Sequence, residues 1–169
     1  MVGEDLGTVE VGVRERLAEH RILSYRVVWF ETDPPARYPR LALATVTTHD
    51  LPTIAGLWNG TDLRLQHELG LQPNEAAIRE IRDRLGAMAG LDHDAPVTEV
   101  IERTYRLLAD APSAIITATL DDALAVEERP NMPATSTERP NWSIALPLSL
   151  EALEKDPLAR TIARTLGRR

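Results

Sequence analysis

The chain has 169 residues, 43% of them apolar, with no cysteine and a formal net charge of −7. That size allows one ordinary domain with its own core, and the composition does not fit a disordered chain. The acidic balance argues against a nucleic-acid or anionic-membrane surface, and the lack of cysteine removes disulfides and thiolate metal sites, as expected of a cytoplasmic protein.

No apolar run approaches the roughly 20 residues needed to span a bilayer. The first residues, Met-Val-Gly-Glu-Asp, contain neither a basic region nor a signal-like apolar stretch. Residues 1–4 read as the frayed end of a strand. Residues 9–20 carry Val9, Val13 and Leu17 at helical spacing, with Arg and Glu between them. Residues 25–30, Tyr-Arg-Val-Val-Trp-Phe, are aromatic and β-branched, the composition of a strand, with Trp29 near its end. Residues 31–40 hold Pro34, Pro35 and Pro39 and read as a loop. Residues 41–47 are an apolar run that reads as a buried strand. Thr-Thr-His49-Asp50 follows, then Leu51-Pro52. Proline cannot donate to a ladder and restricts the residue before it, so the strand is expected to end near Thr47. That puts His49 and Asp50 at its C-terminal lip, where α/β barrels carry catalytic groups. The plainer role for Asp50 is to cap the following helix.

Residues 57–109 are mostly helical: 63–69, 74–88 and 97–109. Asn74 is a plausible N-cap, with Ile78, Ile81 and Leu85 as an apolar stripe. In the last helix Val100, Ile101, Tyr105 and Leu108 face inward. The block reads as a helical excursion between strands, being short for a separate bundle. His67 and His93 lie in it and read as surface residues, since no second ligand stands at metal spacing. Residues 113–120 return to strand, with Asp121-Asp122 at its C-terminal end. Residues 127–141 are rich in Pro, Thr and Asn and form a long loop of the sort that is functional or mobile. Residues 148–168 close with helical pieces; Asp156-Pro157 is a helix start.

Three motifs stand out in order: Glu4-Asp5-Leu6-Gly7, Thr48-His49-Asp50, and Asn131-Met132-Pro133 with a later Asn141-Trp142. Together they resemble the amylomaltase (4-alpha-glucanotransferase) family, specifically the C-terminal part of such an enzyme, and the resemblance covers nearly the whole chain. It implies an α/β fold: about the second half of a TIM (β/α)8 barrel over residues 1–169, with a helical insertion at about 57–110. An active-site strand at Met1 to Glu4 has almost no chain before it, so an upstream half is expected.

The implied chemistry is retaining transfer of α-1,4-glucan segments between maltooligosaccharides. Such transfer uses two carboxyl groups roughly 5–5.5 Å apart, one a nucleophile and one an acid/base. By resemblance, Glu4 is the acid/base, Asp50 the third carboxylate that holds sugar hydroxyls, and His49 the donor beside it. Asn131 matches a sugar-contacting Asn. Asp122 matches an Asp that ties down its loop, and Trp142 packs that loop. Trp29 is either a stacking face for a glucose ring or a core aromatic. No cofactor or metal is implied.

Departures from the family pattern are Leu51-Pro52 after Asp50, Asp121 before Asp122, and Ala134 where the family has Gly. Ala enters positive φ less readily than Gly, so an altered loop is expected. The family's nucleophilic Asp, in an Arg-Ile-Asp-His type of motif, has no counterpart in the sequence, so the chain alone is expected to be inactive. The alternatives are a non-catalytic remnant, an α-glucan-binding module, or one half of a split enzyme. The expected partners are maltooligosaccharides and either an N-terminal barrel half or a second copy.

Overall fold

A computed structural model of the chain describes residues 1–167. Three parallel strands lie in the order β1 (Ser24–Val27), β2 (Ala42–Thr45), β3 (Ile115–Ile116). Ser24 registers with Ala42 and Leu43 with Ile115. The N-terminal segment lies against the start of β1 through a parallel bridge of Val2 to Leu23, with the Gly3 amide donating to the Leu23 carbonyl. The sheet is therefore built by adding neighbours in chain order, each connection returning the chain to the same end. Helix α1 (Val13–Glu19) makes the first return, entered through Gly12 at φ 89°. A 3-10 turn at Pro35–Arg37 interrupts the proline-rich second.

The third return is the helical block: α2 (Ile54–Trp58), α3 (Thr61–Glu68), α4 (Glu75–Ala89) and α5 (Val97–Ala109). Asn74 caps α4 by accepting from the Ala77 amide, as its sequence position predicted, and Gly90 ends the helix at φ 62°. The apolar stripe of α5 buries Val100, Ile101, Tyr105 and Leu108. This face meets α2, α4 and the last helix, α8 (Pro157–Leu166). Between β3 and α8 come the short helices α6 (Leu120–Ala123) and α7 (Leu150–Leu153). One buried cluster takes Val27, Ala44 and Val46 from the sheet side and Ile54, Trp58, Leu85, Tyr105 and Ile162 from the helices. Trp58 joins them further: its indole N–H donates to the Ala95 carbonyl at 2.9 Å, and the Arg82 guanidinium lies 4.7 Å from its ring centroid. No helix among the described residues is long and apolar enough to cross a membrane.

Several element boundaries differ from the sequence expectation. The helix expected over 9–20 begins only at Val13, because Gly12 in the left-handed region sets its start. The strand expected over 25–30 stops at Val27; Phe30 and Glu31 donate back to the Val27 carbonyl, so the chain turns there. The strand expected over 41–47 pairs only from Ala42 to Thr45, although Val46 and Thr47 remain buried beyond it. The strand expected over 113–120 shrinks to Ile115–Ile116, and Thr119 caps α6 instead, accepting from the Asp122 amide. Asp121 and Asp122 thus lie in the first turn of a helix rather than on a strand end. Arg168, at the end of the last expected helical stretch, lies outside the described residues.

Candidate functional site

Parallel strands bring their C-terminal ends to one edge, and the chain leaves that edge through two segments of unusual polarity. At the first, Asp5 is 2% exposed; its carboxylate accepts from the Tyr25 amide at 2.7 Å and from Arg14 Nε at 3.0 Å. That buried anchor fixes the short Glu4–Gly7 stretch onto the start of β1 and leaves Glu4 exposed beside it. Burial, with the Glu4 charge as the second cause, pushes the Tyr25 phenol above its usual range. At the second edge segment, Thr45 Oγ donates to the Thr47 carbonyl and Thr47 Oγ to the Pro52 carbonyl. These hydroxyls replace the ladder that proline ends, and they turn Thr48-His49-Asp50 outward. The next helix is capped by Thr53, which accepts from the Gly56 amide, so capping is not what Asp50 does.

The two segments face one cleft of about 370 Å³, lined by Glu4, Leu6, Gly7, Tyr25, Phe30, Thr48, His49, Asp50 and Leu51. Glu4, His49 and Asp50, singled out in the sequence, therefore share one cavity. His49 Nε2 stands 3.3 Å from Asp50 Oδ2, both side chains about half exposed. Asn131 joins them from far along the chain: its Nδ2 donates to Asp50 Oδ1 at 2.6 Å. A carboxylate with one oxygen held by an amide and the other beside an imidazole has its plane fixed while its remaining lone pairs face the cleft. Glu4 and Asp50 are the carboxylates of the lining. Among the described residues no group of three or more His, Asp or Glu is placed to hold a metal ion.

Trp29 is corrected. It is 2% exposed, its indole N–H donates to the Pro52 carbonyl at 2.9 Å, and it belongs to the core. The early end of β1 turns Trp29 inward and Phe30 outward, so Phe30, 52% exposed, reaches the cleft beside Tyr25, and Trp29 does not. Asp122 is fully buried and away from the cleft. It accepts from the Ile54 amide and from the Tyr105 hydroxyl, each at 2.8 Å, tying α2 to α5. Burial raises its pKa above the carboxylate norm and raises that of Tyr105 well above the phenol norm. His67 and His93 are on the surface, near Glu75 and Asp83 respectively.

The loop that carries Asn131 rests on groups the sequence did not single out. Arg129 grips Asp62 with two parallel bonds, Nε to Oδ1 at 2.6 Å and Nη2 to Oδ2 at 2.5 Å, with side chains 7% and 2% exposed. Its third nitrogen donates to the Asp50 backbone carbonyl at 2.6 Å. One planar guanidinium thus joins the helical block to the backbone of the cleft residue, a task suited to its fixed fork of donors. Arg139 repeats the device inside the loop, donating to the Arg129 carbonyl and to Asn141. Asn141 in turn accepts from the Met132 amide and donates to Thr135. Upstream, Glu127 accepts from Thr61 and, second in effect, from Asn59, bonds that hold its carboxyl below the usual range, and its carbonyl accepts from Thr53. Ala134 keeps a left-handed φ of 65°. An alanine there carries the strain of a conformation that glycine adopts freely. The one sequence signal for these anchors is the doubled Arg-Pro-Asn at 129–131 and 139–141.

Comparison with known proteins gives one answer. The profile of the 4-alpha-glucanotransferase family matches residues 1–149. A 4-alpha-glucanotransferase of Mycobacterium tuberculosis is 36% identical over 193 residues, covering 98% of this chain and 27% of that protein. One from Haemophilus influenzae is 32% identical over 174 residues, covering 88% of this chain and 25% of its own length. The crystal structure of amylomaltase from Corynebacterium glutamicum superposes with a TM-score of 0.85 at 30% identity, over 98% of this chain and 28% of that one. The chain spans about a quarter of the length of these relatives and corresponds to their C-terminal part.

Proposed function

The chain belongs to the 4-alpha-glucanotransferase family, and from that premise we propose that its cleft is part of an active site that transfers α-1,4-glucan segments between maltooligosaccharides. The observation that carries the reading is the single cleft that takes Glu4, His49 and Asp50 from segments more than forty residues apart. In this reading Glu4 protonates the departing glycosidic oxygen and then deprotonates the incoming sugar hydroxyl. Asp50, oriented by Asn131 and His49, binds the hydroxyls of the reacting sugar and stabilises the positive charge that develops on its ring. Asn131 uses its remaining hydrogen-bonding capacity on the same sugar.

Retaining transfer also needs a nucleophile to hold the sugar between the two half-reactions. The sequence has no Arg-Ile-Asp-His motif, and the carboxylates of the cleft are already assigned. The nucleophile then comes from protein outside these 169 residues, on the earlier strands of a (β/α)8 barrel whose later part is this sheet. The parallel, in-order strands support that architecture. The helices of residues 57–110 are its insertion, within a barrel domain that includes residues 1–169. The site of action is the cytoplasm, where maltooligosaccharides are the partners. The lack of a nucleophile also favours a second reading, in which these 169 residues by themselves bind glucan without turnover.

Maltotriose disproportionation is the test. The chain alone is expected to release no glucose above a Glu4→Ala control. Co-expressed with the N-terminal part of an amylomaltase that carries the nucleophile, it is expected to form a complex that makes glucose and longer oligomers. Glu4→Gln is expected to abolish that activity, since losing one member of a catalytic unit removes most of the rate. A complex equally active with Glu4→Gln refutes the assignment.

A further inference from the structure

Trp142 is 64% exposed, whereas Trp29 and Trp58 are buried at 2% and 5%. A tryptophan whose task is to pack its loop covers its ring; this one presents it. The backbone at Trp142 is in the left-handed region, φ 63°. For a bulky residue that conformation costs of order 1–3 kcal/mol and persists only where its surroundings over-determine it. They do so here: the Trp142 amide donates to the Pro130 carbonyl at 2.9 Å, and the preceding Asn141 side chain is held from both ends. The loop that delivers Asn131 to Asp50 thus also fixes the direction of the indole. The ring lies beside His49, centroids 5.0 Å apart and planes inclined at 45°. His49 lines the cleft and neighbours Asp50. A wide apolar surface with one polar edge therefore stands at the rim, next to the groups that face the sugar.

We infer that Trp142 is a carbohydrate platform: its exposed face takes the apolar C–H face of a glucose unit adjacent to the one held at Asp50. An aromatic ring supplies large contact area at small conformational cost, and the loop has already ordered this one. The ligand class is an α-glucan long enough to reach from the cleft to the rim. The inference rests on the glucan reading of the cleft, and the test separates the two.

The test is calorimetric titration of the 169-residue chain with maltoheptaose, together with tryptophan fluorescence. Since the other indoles are buried, acrylamide quenching reports mainly on Trp142. Maltoheptaose is expected to shift the emission to shorter wavelength and to protect it from acrylamide, and glucose to do neither. Trp142→Ala is expected to weaken maltoheptaose binding about 3- to 10-fold, the worth of one aromatic contact, and to abolish the spectral change. Trp142→Tyr restores most of the affinity, which excludes a collapsed loop as the cause. If Trp142→Ala binds like the parent while Asp50→Ala does not bind, the platform is overturned and the cleft reading stands. Maltoheptaose binding with no change in Trp142 fluorescence also overturns it. If the parent chain shows no binding, both fall together.

Discussion

Removing both partners of the Arg129–Asp62 pair is expected to cost clearly less than the sum of removing each. The side chains are 7% and 2% exposed and meet through two bonds of 2.5–2.6 Å. Arg129→Met leaves a buried carboxylate whose remaining side-chain partner is Gln66, at 2.8 Å, and it strips the Asp50 carbonyl of its donor. Asp62→Leu leaves a buried guanidinium holding that carbonyl alone. Breaking a buried pair typically costs about 3–5 kcal/mol. The surviving Gln66 and Asp50 bonds argue for about 3 kcal/mol in each single variant, a large share of the roughly 5–15 kcal/mol that holds a domain together. With Arg129→Met and Asp62→Leu combined, no charge is stranded. The double variant is expected to be at least about 2 kcal/mol more stable than the sum of the single losses predicts. Urea unfolding followed by circular dichroism measures all four proteins. Single losses below about 1 kcal/mol, or strict additivity, would show that the pair is not the anchor described.

Gly56→Ala gains about 1 kcal/mol of helix propensity, but its Cβ would stand 2.2 Å from the Glu127 carbonyl oxygen. Overpacking costs about 1–3 kcal/mol, and because the obstacle is backbone, a lower Tm is expected; a Tm equal to or above the parent's would contradict this. Ala134→Gly removes the strain of φ 65° but adds freedom to the unfolded chain, worth about 0.4–1 kcal/mol. With about 1–2 kcal/mol of left-handed strain removed, a net gain near 0.5 kcal/mol is expected, readable as a higher urea midpoint; a lower one would count against it. Asp122 has a folded pKa raised above its unfolded value by burial. The native state therefore binds the proton more tightly, and stability falls as pH rises from about 4, the unfolded value, through the raised folded value. Asp122→Asn is expected to flatten that decline in urea midpoints; an unchanged pH profile would remove Asp122 as its source.

What could be read from the sequence was local. The caps at Asn74 and Asp156, the inward face of residues 97–109 and the turn of His49-Asp50 off its strand depend on neighbours a few residues away. Trp29 and Phe30 were harder, because a strand that ends three residues sooner changes which aromatic faces the core. The run at 113–120 has strand composition throughout, but a pairing length depends on the neighbouring strand, and β2 leaves its edge early. The anchors of the cleft were legible only as the doubled Arg-Pro-Asn at 129–131 and 139–141, which does not say what either arginine holds. Asp62 and Arg129 are 67 residues apart, and nothing near either names the other. Family resemblance singled out Glu4, Asp50 and Asn131, but it passed over Asp62 and the arginines that anchor the loop of Asn131.

The separation between Asn131 and Asp50 also bears on the order in which the molecule assembles. Their bond spans 81 residues and that of Arg129 to the Asp50 carbonyl 79, whereas α4 and α5 are joined by a short connection. Contacts between distant residues must first offset the entropy of closing the intervening chain. The helices and the β1–β2 pair can form while a ribosome is still making the rest. The cleft wall cannot, because His49 waits for Trp142, ninety-three residues later. Chains released before that point would hold the sheet and the helical block around an unfinished rim, and would still lack α8.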